Sequence, residues 1–106
     1  MPKITYNKLV RDRIPEIIEK SGKKAITAIL DDTAYKKLLN EKLSEELQEY
    51  LDSDKVEELA DLVEVIYAIL DFKHVSLTEF ENLRCSKAQE RGAFRKRILL
   101  QEVIEE

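Results

Sequence analysis

The sequence contains few of the residues that loop-rich and disulfide-rich proteins need. Its 106 residues include only 2 Gly, 2 Pro and 1 Cys, and no Trp. The single cysteine, Cys85, cannot form an internal disulfide, which favours a reducing compartment. With Gly22 and Gly92 alone, a glycine-rich phosphate-binding loop is excluded. Any phosphate would have to be bound by side chains and a metal ion.

Long apolar runs and a positive net charge are also missing. No segment approaches the length of a membrane span, and the opening residues lack the apolar run of a signal peptide. The formal net charge of -4 at pH 7 provides no electrostatic basis for binding nucleic-acid polymers or membranes. We therefore expect a cytoplasmic protein, and the length predicts a single domain over residues 1–106.

Charged residues make up 38% of the chain, and together with the scarcity of Gly and Pro they favour long helices. Pro15 suits the first turn of a helix, and Asp32 or Thr33 can cap the next one. The capping-box pattern from Ser76 to Glu79 predicts the start of the last helix. These signals predict four helices, over about residues 15–22, 32–51, 54–72 and 76–92.

The expected fold is an all-α bundle with two long antiparallel central helices. Residues 25–30 alternate in polarity and could form a strand that pairs with the tail at 94–103, which would add a minor two-stranded element. The helix at 54–72 is apolar on most of its sides, more than so small a bundle can cover. We therefore expect a homodimer, or a tetramer, that buries this surface.

Two acidic patterns lie on the predicted central helices. Residues 45–49 read E-E-x-x-E, and residues 58–61 read E-x-x-D. Carboxylates three residues apart lie on one helical face. At 100° per residue, Glu58 and Asp61 lie next to apolar positions, whereas Glu57 and Glu64 belong to the solvent-facing stripe. Acids in apolar surroundings need a cation or hydrogen-bond donors, because an unpaired buried charge is costly.

The first acidic pattern is less regular. Glu46 borders the apolar arc of its helix, Glu49 lies further out, and Glu45 is expected to face solvent. In an antiparallel pair, Glu49 would lie level with Glu58, and Glu46 with Asp61. Four carboxylates facing one gap suit a hard cation such as Mg²⁺. Since acids on helices usually face water, the residues alone leave a metal site and a solvated acidic face both open.

The ends of the chain carry two further patterns. Residues 6–15 read Y-N-K-L-V-R-D-R-I-P, and residues 87–94 contain K-x-x-x-R-G-x-F. With the acidic patterns, these segments resemble the MazG-like nucleoside triphosphate pyrophosphohydrolases, the all-α superfamily that includes phosphoribosyl-ATP pyrophosphohydrolase. The two end segments are similar to those of a small single-domain subgroup. Ala93 stands where that subgroup has a second glycine, a departure that leaves the acidic pattern intact.

The resemblance implies an enzyme that hydrolyses nucleoside triphosphates between the α and β phosphates and releases a nucleoside monophosphate and pyrophosphate. Non-canonical nucleotides are the expected substrates, in a house-cleaning role. By position, the resemblance implies four ligands for a Mg²⁺ ion, for which Mn²⁺ could substitute: Glu46, Glu49, Glu58 and Asp61. Glu46 or Glu49 would activate the attacking water, and Glu45 would have a secondary role.

Basic residues near both ends are candidates for contacts to substrate phosphates. They are Lys8, Arg11, Arg13, Lys87 and Arg91. Without the resemblance, each would be interpreted as surface charge. Two other functions remain open: a non-catalytic helical interaction module whose acids bind a basic partner or nothing, and phosphoribosyl-ATP hydrolysis. The subgroup-like ends count against the second of these.

Overall fold

The computed structural model describes residues 2–105, and within that range all regular secondary structure is helical. The helices are α1 (Ile14–Lys20), α2 (Asp32–Ser53), α3 (Val56–Phe72) and α4 (Leu77–Arg91). The predicted all-α class is confirmed. Among the described residues, no helix combines the length and the hydropathy that a membrane crossing requires.

The chain divides into two compact units, one ending at His74 and the other starting at Val75. The first contains α1, α2 and α3, and the second contains α4 and the tail. Helices α2 and α3 pack against each other in the first unit. Only Asp54 and Lys55 separate them. The Asp54 backbone is left-handed, with φ of 57°, and its N–H donates to the Tyr50 carbonyl at 2.7 Å.

The start of α2 lies close to its predicted position. The side chain of Asp31 accepts a hydrogen bond of 2.8 Å from the Ala34 backbone N–H. Such a bond satisfies one of the donors that lack a partner in the first helical turn. The predicted cap, Asp32 or Thr33, is therefore wrong by one or two residues, because both already lie inside the helix.

A small core joins α2 to α3. Leu39 of α2 is only 2% exposed, and Val65 and Leu70 of α3 are also buried. At the end of the pair away from the turn, the rings of Tyr35 and Phe72 meet edge to face with centroids 5.7 Å apart. This contact lies between the start of α2 and the end of α3, so the two helices are antiparallel, as predicted.

In the second unit, the Ser76 side chain caps α4 by accepting a 3.1 Å hydrogen bond from the Glu79 backbone N–H. The helix ends at Arg91, and the residue that follows, Gly92, has a φ of 84°, in the region that favours glycine. Both ends agree with the sequence prediction. On the exposed face, Arg84 pairs with Glu81 and lowers the pKa of that carboxyl.

The minor two-stranded element is absent from residues 2–105. Residues 25–30 have no regular secondary structure, and Ile26 and Ile29 are exposed. The tail contains a turn in which the Arg97 N–H donates to the Phe94 carbonyl at 3.4 Å, and Arg97 has a positive φ of 56°. Such a turn interrupts any continuous strand over 94–103. An extended segment becomes a strand only when its backbone groups bond to a neighbour, and in the described residues neither segment does so.

Candidate metal centre

Five carboxylates from α2 and α3 form two overlapping groups. Glu45, Glu46 and Glu49 offer oxygens that all lie within 4.8 Å of one another. Glu46, Glu58 and Asp61 form a second group with the same spacing. Glu46 belongs to both, so it is the residue through which the acids of α2 meet those of α3.

Helical spacing and the short turn together produce this arrangement. Residues three and four apart share a helical face, which brings together the acids within each helix. The pairing of the two helices is uniform along their length: Tyr35 lies eleven residues before Glu46, and Phe72 lies eleven residues after Asp61. The contact of Tyr35 with Phe72 and that of Glu46 with Asp61 therefore have the same antiparallel register. The sequence predicted this register for Glu46 and Asp61.

Burial separates these acids from the others on α3. Glu58 and Asp61 are half-buried, whereas Glu57 and Glu64 are exposed. The predicted solvent stripe of α3 is thus confirmed. On α2, the Glu46 side chain is 9% exposed, while Glu49 is exposed. Glu49 is grouped with its neighbours on α2. Among the described residues, neither group of three contains both Glu49 and Glu58, which were predicted to lie level with each other.

Glu45 differs from its predicted solvent-facing position. Its side chain is only 30% exposed and lies 3.3 Å from Lys8 Nζ and 3.6 Å from Lys42 Nζ. The expectation considered the central helices alone. Lys8, in the segment before α1, reaches Glu45 and forms this ion pair from outside the helical pair. A contact so distant in sequence has no signature in the periodicity of α2.

Glu46 is the most constrained acid of the site. Lys42 Nζ lies 3.4 Å from its Oε1, but Oε2 is buried and has no hydrogen-bond partner within the described residues. Burial raises the pKa of Glu46, the adjacent Glu49 raises it further, and Lys42 opposes both. A buried carboxylate oxygen without a partner is costly, so this atom is expected to bind a proton or a cation.

In the second group, the surroundings of Glu58 also disfavour its ionised form. Partial burial raises the pKa of Glu58, the negative charges of Asp61 and Glu46 raise it further, and the positive charge of Lys55 opposes them. Like charges in close contact titrate at higher pH because each disfavours the ionisation of its neighbours. Both Glu46 and Glu58 are therefore acids whose charge a bound cation would stabilise.

The structure brings two of the predicted phosphate-binding residues to these acids. Arg11 Nη2 lies 2.6 Å from Asp61 Oδ1, and Lys8 pairs with Glu45. Arg13 does not take part, because it pairs with Glu16 of α1 at 3.3 Å. Lys87 and Arg91 are exposed residues of α4, in the other unit, and no described ion pair includes either.

Lys42 belongs to this site although the sequence analysis did not select it. It contacts both Glu45 and Glu46 from the preceding turn of α2. The signal was present, since positions three and four residues apart on a helix are neighbours. A lysine one turn before two adjacent acids is common on helix surfaces, which is why the pattern alone indicates no special role.

The charges of the site do not balance. Five carboxylates lie near three ion-paired cations, Lys8, Arg11 and Lys42, and a fourth cation, Lys55, acts on Glu58 from a longer distance, so the ionised acids outnumber the cations. Bound protons or a divalent cation would reduce this excess. The donor set consists of carboxylate oxygens, which hard cations such as Mg²⁺ prefer. The residues present therefore fit a divalent ion in both charge and donor type, and Glu46 Oε2 is an unsatisfied oxygen available to it.

Comparisons with known proteins found no matching family model, no matching curated protein and no matching solved structure. The assignment of function therefore rests on the residues of the site and on the sequence patterns described above.

Proposed function

We propose that this protein is a MazG-like nucleotide pyrophosphohydrolase that uses Mg²⁺, or Mn²⁺ in its place, to hydrolyse nucleoside triphosphates to a monophosphate and pyrophosphate. The observation that carries the proposal is Glu46. Within the described residues its Oε2 is buried without a hydrogen-bond partner, and it lies among four further carboxylates that outnumber the cations near them. An acidic face that merely contacts water would not bury its central acid in this way.

The proposed ligands of the metal are Glu46, Glu49, Glu58 and Asp61, with Glu45 nearby. When bound, the ion would supply charge neutralisation of phosphate oxygens and acidification of a water molecule. The resemblance of the acidic patterns to the MazG-like signature supports this choice of ligands. The geometry adds Lys42, which holds Glu46 through Oε1 and leaves Oε2 free.

The proposed reaction adds water across the bond between the α and β phosphates. The water oxygen bonds to phosphorus, the bridging P–O bond breaks, and one product leaves as pyrophosphate. A carboxylate must take the proton of the attacking water. Glu49 suits this step better than Glu46, because it is exposed to solvent and has no ion pair in the described residues, whereas Glu46 is buried and held by Lys42.

Cations at the site would bind the phosphates of the substrate. Lys8 and Arg11 already lie at the acidic groups, and Lys87 and Arg91 are proposed from the sequence pattern alone. The proposed substrates are non-canonical nucleoside triphosphates, and the proposed location is the cytoplasm.

The proposal is tested by incubating the protein with Mg²⁺ and a panel of standard, deoxy and damaged triphosphates, and by measuring pyrophosphate. Phosphoribosyl-ATP belongs in the panel, since exclusive turnover of that compound would assign the protein to the alternative reaction. Calorimetry measures metal binding independently. If no nucleotide is hydrolysed and no metal binds, the protein is a helical interaction module and the proposal is wrong.

We further propose that the protein is a homodimer, which could associate into a tetramer. Four apolar residues of α3 lie at helical spacing and are exposed: Val56, Leu59, Val63 and Tyr67. A second copy would cover this stripe. Sedimentation equilibrium is expected to give a dimer mass for the wild-type protein and a lower mass for Val63→Glu. Glu64→Gln, on the solvent stripe, is the control and should leave the mass unchanged.

A further inference from the structure

We propose that Arg11 and Lys8 are exchangeable counter-ions, which pair with the carboxylates in the metal-free protein and transfer to the substrate phosphates once a divalent ion binds. This inference rests on the proposed function, and it assigns a regulatory role to the segment before α1. In the metal-free protein, the segment would occupy the site that the metal and the substrate later share.

The contacts of Arg11 leave most of its hydrogen-bonding capacity unused. Only Nη2 donates to Asp61 Oδ1, and no other donor of its guanidinium makes a hydrogen bond in the described residues. An arginine carries five N–H donors in a planar fork that matches phosphate oxygens. The Arg11 side chain is 56% exposed. It can therefore exchange one carboxylate oxygen for a phosphate without leaving a buried group unpaired.

Lys42 provides the contrast that defines this role. It projects from α2 itself, is only 21% exposed and contacts two carboxylates. Lys8 and Arg11 belong instead to a segment without regular secondary structure, and each contacts one carboxylate. A cation fixed on the helix cannot follow a substrate, whereas cations on an irregular segment can. We therefore assign Lys42 to the permanent structure of the site and the other two to the exchange.

The shared Asp61 carboxylate indicates when the exchange occurs. Asp61 is a proposed metal ligand, so a divalent ion and Arg11 compete for its carboxylate. A metal that binds Asp61 takes the place of Arg11 at that carboxylate and leaves its guanidinium without a partner. A polyphosphate then brings new negative charge to the same place. Arg11 and Lys8 thus oppose the metal when it binds alone and favour the polyphosphate when the metal is present.

This dual role predicts effects of opposite sign from a single substitution. Arg11→Gln removes the competitor at Asp61, so the affinity for Mn²⁺ in the absence of nucleotide is expected to rise about three- to tenfold. The same substitution removes a phosphate ligand, so the affinity for pyrophosphate in saturating Mn²⁺ is expected to fall about tenfold, the equivalent of about 1.4 kcal/mol. Lys8→Gln should produce both changes to a smaller extent, because Lys8 contacts Glu45, which is not among the proposed ligands.

The experiment measures both affinities by calorimetry on the full chain, with Lys20→Gln as the matched control. Lys20 is an exposed cation paired with Glu16 at 2.9 Å, outside the acidic groups, and its loss should change neither affinity. The urea midpoint of each variant verifies that it folds. Weaker binding of both metal and pyrophosphate by Arg11→Gln would show a structural role and overturn the inference. Unchanged affinities would overturn it as well.

Limited trypsin digestion of the wild-type protein follows the segment directly. Mn²⁺ alone is expected to increase cleavage after Lys8 and Arg11, and pyrophosphate added afterwards should decrease it. Cleavage that Mn²⁺ does not change would contradict the exchange. A wild-type protein that binds no metal would fail at an earlier step, because that result refutes the proposed function itself.

Discussion

Lys42 and Glu46 form an ion pair that satisfies only one of the two oxygens of the Glu46 carboxylate. Lys42 Nζ lies 3.4 Å from Oε1, and Oε2 is buried without a hydrogen-bond partner in the described residues. A buried acid that is half-paired can bind a proton or a cation at its second oxygen. The charge state of Glu46 therefore indicates whether the site binds a metal ion.

In the metal-free protein, Glu46 is expected to make stability decrease as the pH rises. Its folded-state pKa is raised by burial and by Glu49, and is lowered less by Lys42. Between the unfolded value, about 4.3, and the raised folded value, the folded protein binds more protons than the unfolded chain. The contribution is therefore fully present below the unfolded pKa and is lost as the pH rises through the folded pKa. Urea unfolding in a chelator from pH 4 to 8 measures this trend.

Glu46→Gln should flatten that pH dependence, because the amide does not titrate. Glu57→Gln is the control, since Glu57 is exposed and lies outside the acidic groups. Adding Mg²⁺ to the wild-type protein is expected to reverse the trend, because the metal binds the ionised carboxylates. The same slope in Glu46→Gln and in the wild type would show that Glu46 is not the titrating group.

Glu58→Gln and Glu57→Gln provide the sharpest test of the site on α3. The two residues are adjacent, but Glu58 is half-buried and grouped with Glu46 and Asp61, while Glu57 faces solvent. Losing a direct ligand should cost more than the 10- to 100-fold typical of an outer contact, so we expect kcat/KM to fall by about 100-fold or more in Glu58→Gln. Glu57→Gln should remain within about twofold. Similar losses in both variants would mean that α3 is rotated from the orientation described above.

Asp31→Ala should destabilise the first unit by about 1 kcal/mol, the usual cost of losing an N-terminal cap. The Asp31 side chain accepts the hydrogen bond from the Ala34 N–H, whereas Asp32 lies inside the helix. Asp32→Ala is therefore the matched comparison and should cost less. Urea unfolding of the two variants ranks them, and a larger loss for Asp32→Ala would place the cap one residue later.

Leu39→Ala should be the most damaging of these substitutions for stability. Leu39 is 2% exposed and is one of three buried apolar residues in the described chain. Leucine-to-alanine changes in cores cost about 2–5 kcal/mol, which is a large part of the stability of a small protein. Leu51→Ala, at an exposed position of the same helix, should cost much less in thermal unfolding of the metal-free protein. Equal costs would indicate that Leu51 is covered in a dimer.

Most of the fold could be predicted because its signals are local. The ends of α4 follow from a serine cap and a glycine, and the orientation of α3 follows from the apolar period that separates Glu58 from Glu57. The strand prediction for residues 25–30 was wrong because alternation describes only a segment's own side chains. Whether such a segment becomes a strand depends on a partner, and the tail that was expected to pair with it contains a turn.

The site was predictable to the extent that it lies on the helical pair. The antiparallel register placed Glu46 level with Asp61, and the structure brings them together. The half-burial of Glu45 and the contact of Arg11 with Asp61 required knowledge of where the first residues of the chain fold. Arg11 and Asp61 are separated by fifty residues of sequence, and no periodic pattern extends over that distance.

In the turn at Asp54 and Lys55, the number of residues matters to the structure as much as which residues they are. One extra residue there would advance α3 by about 100°, since an α-helix has 3.6 residues per turn. Ala60 would then occupy the position of Asp61, and Glu64 that of the buried Val65. A single inserted codon would thus remove a carboxylate from the acidic groups and place a charge in the core. Surface loops usually tolerate insertions, but this one sets the rotational phase of a whole helix.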